Sequence, residues 1–386
     1  MKILFVVHSY YPEKDGVSIV TQYMAEGLCE RGHEIKVITE KKDDLSDADS
    51  HKNVTIERIH VYKEGNIFRG ERDKLFQGIR SFVPDVTIVV CTQAWGYDWL
   101  CEKLDDFPGK KVLWAHGYSG LEFSGLLRPY PIWNDLLHRR LYAIKNHLYW
   151  KNYYGTAYQN IAKFDKVVYI SKKGNDYWYA EQHRLTNGVV IENAVENIFF
   201  EPYEKENNPA EITFLNIANY NENKNQEMIL RAFYRADLGN ARLILSGSKE
   251  TSYTAKLREI RKALEQKYGH KQVDILVGLE RDKVYELYRH AEVFMLSSKL
   301  EASPVVVREA GAMGLAVIAT RVGDLQEIEG CIFVDSEEEM VEKMRLLYND
   351  QSALRVSARK IREYCFEHCR AVEKVEQMEK TLLELL

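Results

Sequence analysis

The sequence predicts an α/β protein made of two parallel sheets in succession. Three observations lead there. Short apolar runs alternate with helical periodicities from residue 2 onward. The alternation breaks in a polar, irregular stretch at 194–210, AVENIFFEPYEKENNPA, and restarts near residue 211. Strands that alternate with helices form βαβ units, and such units make parallel sheets. A chain of 386 residues has room for two or three domains, and its hydrophobic content of 45% supplies real cores.

Taken in order, KILFVV reads as the first strand and VSIVTQYMAEGLCERG as an amphipathic helix that Gly32 stops. EIKVITE, VTIERI, VTIVVC after Pro84, and KVLWAH continue the strand series, followed by KVVYIS and VVIEN. In the second half EITFLNIA, ARLILSG, VDILVG, VFMLSS and AVIAT read as strands. KNQEMILRAFYRA, KVYELYRHA and VVVREAGAM lie between them as helices, and 370–386 is a strongly amphipathic last helix. The expected domains are therefore 1–193 and 194–369, with ligands at the carboxyl ends of the strands.

Net charge is −5, which argues against general nucleic-acid binding. No run of 18 apolar residues occurs, so no transmembrane helix is expected. MKILFVVHSYYP lacks the small-residue cleavage site of a signal peptide and reads as a buried strand. The six cysteines show no framework spacing and are expected as reduced cytosolic thiols. Cys365, His368 and Cys369 lack the second ligand pair that a structural metal needs.

The chemistry concentrates at Glu301–Glu309, EASPVVVRE, two glutamates separated by seven residues. Pro304 suits the start of the following helix, whose free N–H groups make an anion site. Carboxylates on either side of such a site suit a ligand with phosphate in the middle and hydroxyls at both ends. The stretch resembles the E-x7-E signature of the retaining glycosyltransferases of family 4. That resemblance covers nearly the whole chain and implies the GT-B fold: two Rossmann-like domains facing each other across a cleft, with the C-terminal helix 370–386 packed back on the first.

The resemblance also implies site residues. Glu309 takes the ribose hydroxyls, Glu301 the sugar hydroxyls, and Ser303 with the Val305 and Val306 amides belongs to the donor site. Lys224, after the first strand of the second domain, matches the family's diphosphate-binding lysine. Asn219 stands where the family has the partner arginine, and Lys249, Arg281 and Arg308 are the candidates to compensate. Gly16 looks like part of the family's paired-glycine loop, with Asp15 in place of the first glycine. His116 before Gly117 looks like the family's donor-sugar histidine, able to bond or to exchange a proton near neutrality. Gly278 and Leu279 sit where the family reads the base with backbone atoms. Ser171, Asn193 and Gly323-Asp324 match family positions only in part. The implied catalytic set is Lys224, His116 and Glu301.

The implied activity is transfer of a sugar from a nucleotide diphosphate, with UDP favoured, to an acceptor hydroxyl with retained configuration. The acceptor is expected to be a saccharide or a lipid-linked saccharide in cell-surface polysaccharide or glycan biosynthesis. No Asp-x-Asp motif is read in the chain, so neither a metal nor another cofactor is expected. The rivals are a sugar-nucleotide 2-epimerase of the same fold and a catalytically weak nucleotide-sugar-binding module. Nicotinamide chemistry is disfavoured, because no G-x-G-x-x-G follows a strand. From Lys110 to Lys173 the chain has eleven Lys or Arg against three Asp or Glu, with eight Tyr and three Trp. Within it, 128–154 reads as a basic amphipathic helix suited to an anionic membrane surface, with Leu137, Leu141, Ile144 and Leu148 on one face and Arg140, His147 and Lys151 on another. The expected location is cytoplasmic, peripheral on the inner face of the plasma membrane.

Overall fold

The computed structural model describes residues 1–42, 44–202 and 212–386. The strands are β1 Lys2–Val6, β2 Glu34–Glu40, β3 Ala48–His51, β4 Val54–Ile59, β5 Val61–Glu64, β6 Ile67–Gly70, β7 Val86–Val90 and β8 Lys110–Trp114. They continue with β9 Lys166–Tyr169, β10 Gly188–Val190, β11 Thr213–Ile217, β12 Arg242–Gly247, β13 Gln272–Val277, β14 Val293–Leu296, β15 Ala316–Thr320 and β16 Cys331–Val334. The chain divides into two compact units, Met1–Glu192 with Val372–Leu386, and Asn193–Ala371.

The first unit holds an eight-stranded sheet in the order β10-β9-β8-β7-β1-β2-β4-β3, parallel except for the antiparallel edge pair β3–β4. β7 is buried at every residue, which is why its sequence VTIVV carries no polar alternation. Strand order reverses between β1 and β7. The second unit holds a wholly parallel six-stranded sheet, β13-β12-β11-β14-β15-β16, whose order reverses between β11 and β14. The apolar runs singled out in the sequence are these strands. The short edge strand β3 and the β5–β6 hairpin have no such run and were not legible.

Two expectations meet different structures. The linker reading over 194–210 lies partly outside the described residues, at 203–210. Of the rest, Asn197–Phe200 is a 3-10 turn that buries Phe199 in the second unit. The segment 128–154 is not one helix but two, Ile132–Leu137 and Leu141–Ile161, because Arg139 between them takes φ +52°. His147 is not on a basic outer face: it is 7% exposed, stacked on Tyr130 with ring centroids 4.3 Å apart, its Nδ1 2.8 Å from the Phe123 carbonyl.

The helix Ala371–Leu383 closes the first unit. Glu379 reaches Arg31 at 2.6 Å and His33 at 2.7 Å. Val375 lies over Gly27 of the helix Gly16–Glu30, and a Cβ on Gly27 would stand 2.7 Å from Val375 Cγ2. Gly155, in the helix Leu141–Ile161, has open space where its Cβ would be. Gly155→Ala should therefore stabilise by about 1 kcal/mol through helix propensity. Gly27→Ala gains the same propensity but must displace Val375, at about 1–3 kcal/mol, so its Tm should fall while that of Gly155→Ala rises.

Candidate active site

In the parallel sheet of the second unit every strand ends on the same edge, so the loops after β11, β12, β13, β14 and β15 emerge side by side. The crevice at the reversal, between β11 and β14, is where such sheets bind ligands. Lys224 comes from the loop after β11 and Glu301 from the loop after β14, and their Nζ and Oε1 atoms are 2.5 Å apart. The two loops are stitched together. Lys299 N–H donates to the Asn223 carbonyl at 2.8 Å, Asn223 Nδ2 to the Leu300 carbonyl at 2.9 Å, and Ser297 Oγ to the Lys224 and Asn225 carbonyls at 2.9 Å each. Asn221 Oδ1 accepts the Asn223 and Lys224 amides at 3.0 Å each, a side-chain turn that fixes the lysine's backbone. The direction of the Lys224 ammonium is thus set before any ligand arrives.

The helix Val305–Ala312 starts at Pro304 with no side-chain cap, leaving the Val305 and Val306 amides at its positive end, beside Glu301. Ser303 is buried, its Oγ lacks a hydrogen-bond partner, and its carbonyl accepts from Asn193 Nδ2 at 3.1 Å. Two contacts hold this turn in place. Arg308 pairs with Asp324 at 2.6 Å, both almost wholly buried, and Asp324 N–H donates to the Ala302 carbonyl at 3.2 Å. Burial opposes the Arg308 charge, but Asp324 outweighs it and raises the guanidinium above its ordinary range. Gly323, at φ +56°, passes so close that a Cβ would lie 2.3 Å from the Ala302 carbonyl oxygen.

Glu309 differs from its simple sequence picture. Its side chain is 3% exposed and both oxygens are occupied: Arg281 donates to Oε1 at 2.5 Å and the Tyr288 hydroxyl to Oε2 at 2.7 Å. Arg281 also reaches Glu196 at 2.8 Å and covers the Phe199 ring at 5.0 Å. Neither Arg281 nor Arg308 is therefore spare to replace the missing arginine. Asn219 is exposed and accepts from Ser248 Oγ at 2.6 Å, and the exposed Lys249 follows Ser248 directly. Gly278 is exposed, takes φ +71° and donates its N–H to the Gly247 carbonyl at 2.9 Å, with the half-buried Leu279 directly after it.

In the first unit the loops after β1, β7 and β8 converge by the same logic. Asp15 does what a glycine cannot: its Oδ1 accepts the Val17 and Ser18 amides at 3.1 Å each, capping the helix Gly16–Glu30, while Ser9 Oγ donates to its other oxygen. This helix end, where Gly16 looks in sequence like part of the family's paired-glycine loop, already carries a carboxylate of its own. Gly16 has open space beside it. His116 ends the β8 segment with φ +55°, and its Nε2 is buried without a hydrogen-bond partner. Burial, then the neighbouring His8, push its imidazole down to about 3, so the ring is neutral at physiological pH and serves as a hydrogen-bonding group rather than a proton carrier.

Sequence reasoning missed the residue that holds this turn. Asp176 is wholly buried and accepts the Gly117 amide at 2.9 Å, next to His116, and the Tyr177 amide at 2.9 Å. Asn175 adds a two-way bond to Tyr118, 2.8 Å from its amide and 3.0 Å to its carbonyl. The only sequence signal is an Asn-Asp pair at the start of a helix, too common to assign. Ser171, the matched serine at the end of the preceding strand, accepts the Lys173 amide at 2.9 Å.

No group of three or more His, Cys, Asp or Glu side chains able to hold a metal occurs among the described residues. The reading that the chain has no Asp-x-Asp is corrected by Asp47-Ala48-Asp49, which lies at the sheet edge, with Asp47 paired to Lys41 and Asp49 3.7 Å from Arg58.

Burial pushes the Asp176 carboxyl up to about 6, against the amide bonds that favour its charge. An acid raised on folding contributes stability at low pH that is lost as pH rises through the folded value. Between about pH 4 and 6, wild type should lose stability relative to Asp176→Asn, with the difference levelling above that window. A constant difference in urea denaturation across this range would show that Asp176 ionises normally.

Residues 198–365 match the family model described as glycosyl transferases group 1. No curated protein matches the chain by sequence. Among solved structures the whole chain aligns with 98% of the sucrose-phosphate synthase from Thermosynechococcus elongatus, at 18% identity and a TM-score of 0.74. It aligns equally fully with Anabaena HepE, solved in complex with UDP and glucose, at 14% identity, covering 100% of both chains with a TM-score of 0.74. WaaG, a glycosyltransferase involved in lipopolysaccharide biosynthesis, aligns over 98% of this chain and 99% of its own at 15% identity, with a TM-score of 0.72. The fold is that of the GT-B glycosyltransferases.

Proposed function

Because the chain is a glycosyltransferase that carries its glycosyl transferases group 1 domain at residues 198–365, we propose that it transfers a sugar from UDP to a saccharide hydroxyl with retention at the anomeric carbon. The acceptor is a lipid-linked saccharide of cell-surface polysaccharide assembly, met at the inner face of the plasma membrane. The observation that carries the donor reading is the Lys224–Glu301 pair, 2.5 Å apart, at the strand-order reversal of the second unit. A cation, a carboxylate and an uncapped helix end meet there, as a sugar diphosphate requires. UDP is the first nucleotide to try because HepE, of the same fold, is solved with it.

In this reading the diphosphate displaces Lys224 from Glu301. The ammonium passes to the phosphate, and Glu301 is released to accept sugar hydroxyls. The Val305 and Val306 amides complete the anion site. Lys249, exposed beside the Asn219–Ser248 bond, takes the charge-neutralising part that the arginine at position 219 plays elsewhere in the family. Lys gives a point charge where Arg gives a fork, so phosphate binding here is less directional. Glu309 takes the ribose hydroxyls with the lone pairs left over by Arg281 and Tyr288, which fix its direction. Gly278 and Leu279 offer backbone atoms to the base.

Double displacement needs two carboxylates astride the anomeric carbon. Both glutamates of the signature belong to one loop and helix of the second unit, so they serve the donor. Attack from the leaving-group face through an oxocarbenium-like state, with the departing phosphate taking the acceptor proton, matches the groups present. Lys224, Lys249 and the two amides stabilise that phosphate, and His116, neutral, bonds the sugar.

Titrating UDP by calorimetry tests this. Lys224→Ala and Lys249→Ala should each weaken binding about 10- to 150-fold, the cost of a lost hydrogen bond to a charged group. Glu309→Gln is the right variant at the buried carboxylate, since Ala would strip Arg281 of a partner. Full-affinity UDP binding by Lys249→Ala would remove that lysine from the site, and no UDP binding by wild type would remove the donor assignment. Transfer activity should survive EDTA undiminished; restoration by Mg²⁺ or Mn²⁺ after loss in EDTA would contradict the metal-free mechanism.

A further inference from the structure

The first unit exposes an apolar patch that neither its sheet nor its site explains. Tyr142 at 83%, Leu137 at 79%, Leu141 at 76% and Trp133 at 75% are the four most exposed large hydrophobic side chains among the described residues. All four fall within ten consecutive positions, across the break at Arg139 that separates the helices Ile132–Leu137 and Leu141–Ile161. Single exposed apolar residues are ordinary, but a cluster marks an interaction surface. The inner side of the longer helix is already used, since Tyr154, Ala157 and Ile161 are buried in the core.

The charge around the patch is one-sided. From residue 122 to 155 the cations are Arg128, Arg139, Arg140, Lys145 and Lys151, against two acids, Glu122, 3.1 Å from Arg128, and Asp135, 3.9 Å from Arg140. That aspartate is 6% exposed and accepts from the Tyr130 hydroxyl at 2.8 Å, so it turns little negative charge outward. The whole chain has a net charge of −5, so this positive surface is segregated rather than average.

We propose that residues 133–145 are a peripheral docking surface for an anionic lipid bilayer. Trp133, Leu137, Leu141 and Tyr142 enter the interface, where amphipathic rings are favoured, and Arg139, Arg140 and Lys145 meet lipid phosphates. Among the described residues no helix is long and apolar enough to cross a membrane, so contact is from one side. A second copy is a poor occupant: an isologous contact would set these cations against themselves. The proposal rests on the membrane-side acceptor proposed above but stands apart from the donor site, and a Lys224→Ala protein should dock as wild type does, so docking and donor binding can fail separately.

The full chain is sedimented with vesicles of mixed phosphatidylcholine and phosphatidylglycerol, and with phosphatidylcholine alone. Binding is expected to the anionic vesicles, falling as salt is raised, and not to the neutral ones. Arg139→Gln with Arg140→Gln should weaken partitioning about thirtyfold, two cations at about 1 kcal/mol each. Trp133→Ser with Leu137→Ser should weaken it at least about tenfold at unchanged Tm, since both side chains are already in water. Equal binding to neutral vesicles, or binding that neither pair alters, overturns the proposal. So does a dimer in sedimentation equilibrium that Trp133→Ser with Leu137→Ser dissociates, which would give the patch to a second copy.

Discussion

Parallel strand pairing is the constraint on which everything else in this chain depends. A parallel sheet needs a crossover between neighbouring strands, so the parallel strands leave their sheet on the same edge and the return usually runs through a helix. Six such strands in the second unit deliver five loops to one edge, and the reversal between β11 and β14 opens a crevice among them. Lys224 and Glu301 are 77 residues apart in sequence, yet 2.5 Å apart in space, for this reason alone. The apolar runs that build β11 and β14 are thus the indirect cause of the charge pair between them.

Within that frame, the ends of two helices are treated in opposite ways. Asp15 closes the start of Gly16–Glu30 with its own carboxylate, whereas nothing caps Val305–Ala312. An uncapped, partly exposed helix start keeps its amides and its positive end available to an anion. A capped one has already used both. The two units therefore share a fold plan but not a charge plan: the uncapped helix start belongs to the second unit, while the first presents His116 on a turn held by Asp176.

Strand runs, helix periodicities and the Glu301–Glu309 spacing were legible in the sequence because they are local. They depend on residue type at fixed short offsets, which burial and backbone geometry convert directly into structure. What escaped was set by partners far away. Glu309 meets Arg281 and Tyr288, 28 and 21 residues back. Asp176 meets Gly117, 59 residues back. The break at Arg139 is local, but a non-glycine residue at positive φ leaves no mark in a hydrophobic pattern, so two helices read as one. The β5–β6 hairpin is short and its outer faces are exposed, so it too lacks a pattern to read.

The substitution of Asn219 for an arginine looks, in sequence, like the loss of a function. The surrounding chemistry argues otherwise. Arg308 and Arg281 are spent on Asp324 and Glu309, pairs whose breaking would leave a buried charge uncompensated at about 3–5 kcal/mol. They cannot move to the phosphate without that cost. Lys249 is exposed, so turning its flexible stem toward an anion costs only side-chain entropy, on the order of 2 kcal/mol at most. The neighbouring Asn219–Ser248 bond fixes the loop from which it reaches. On the function proposed above, the site keeps its charge while changing the residue that carries it, because the replacement starts from water rather than from an ion pair.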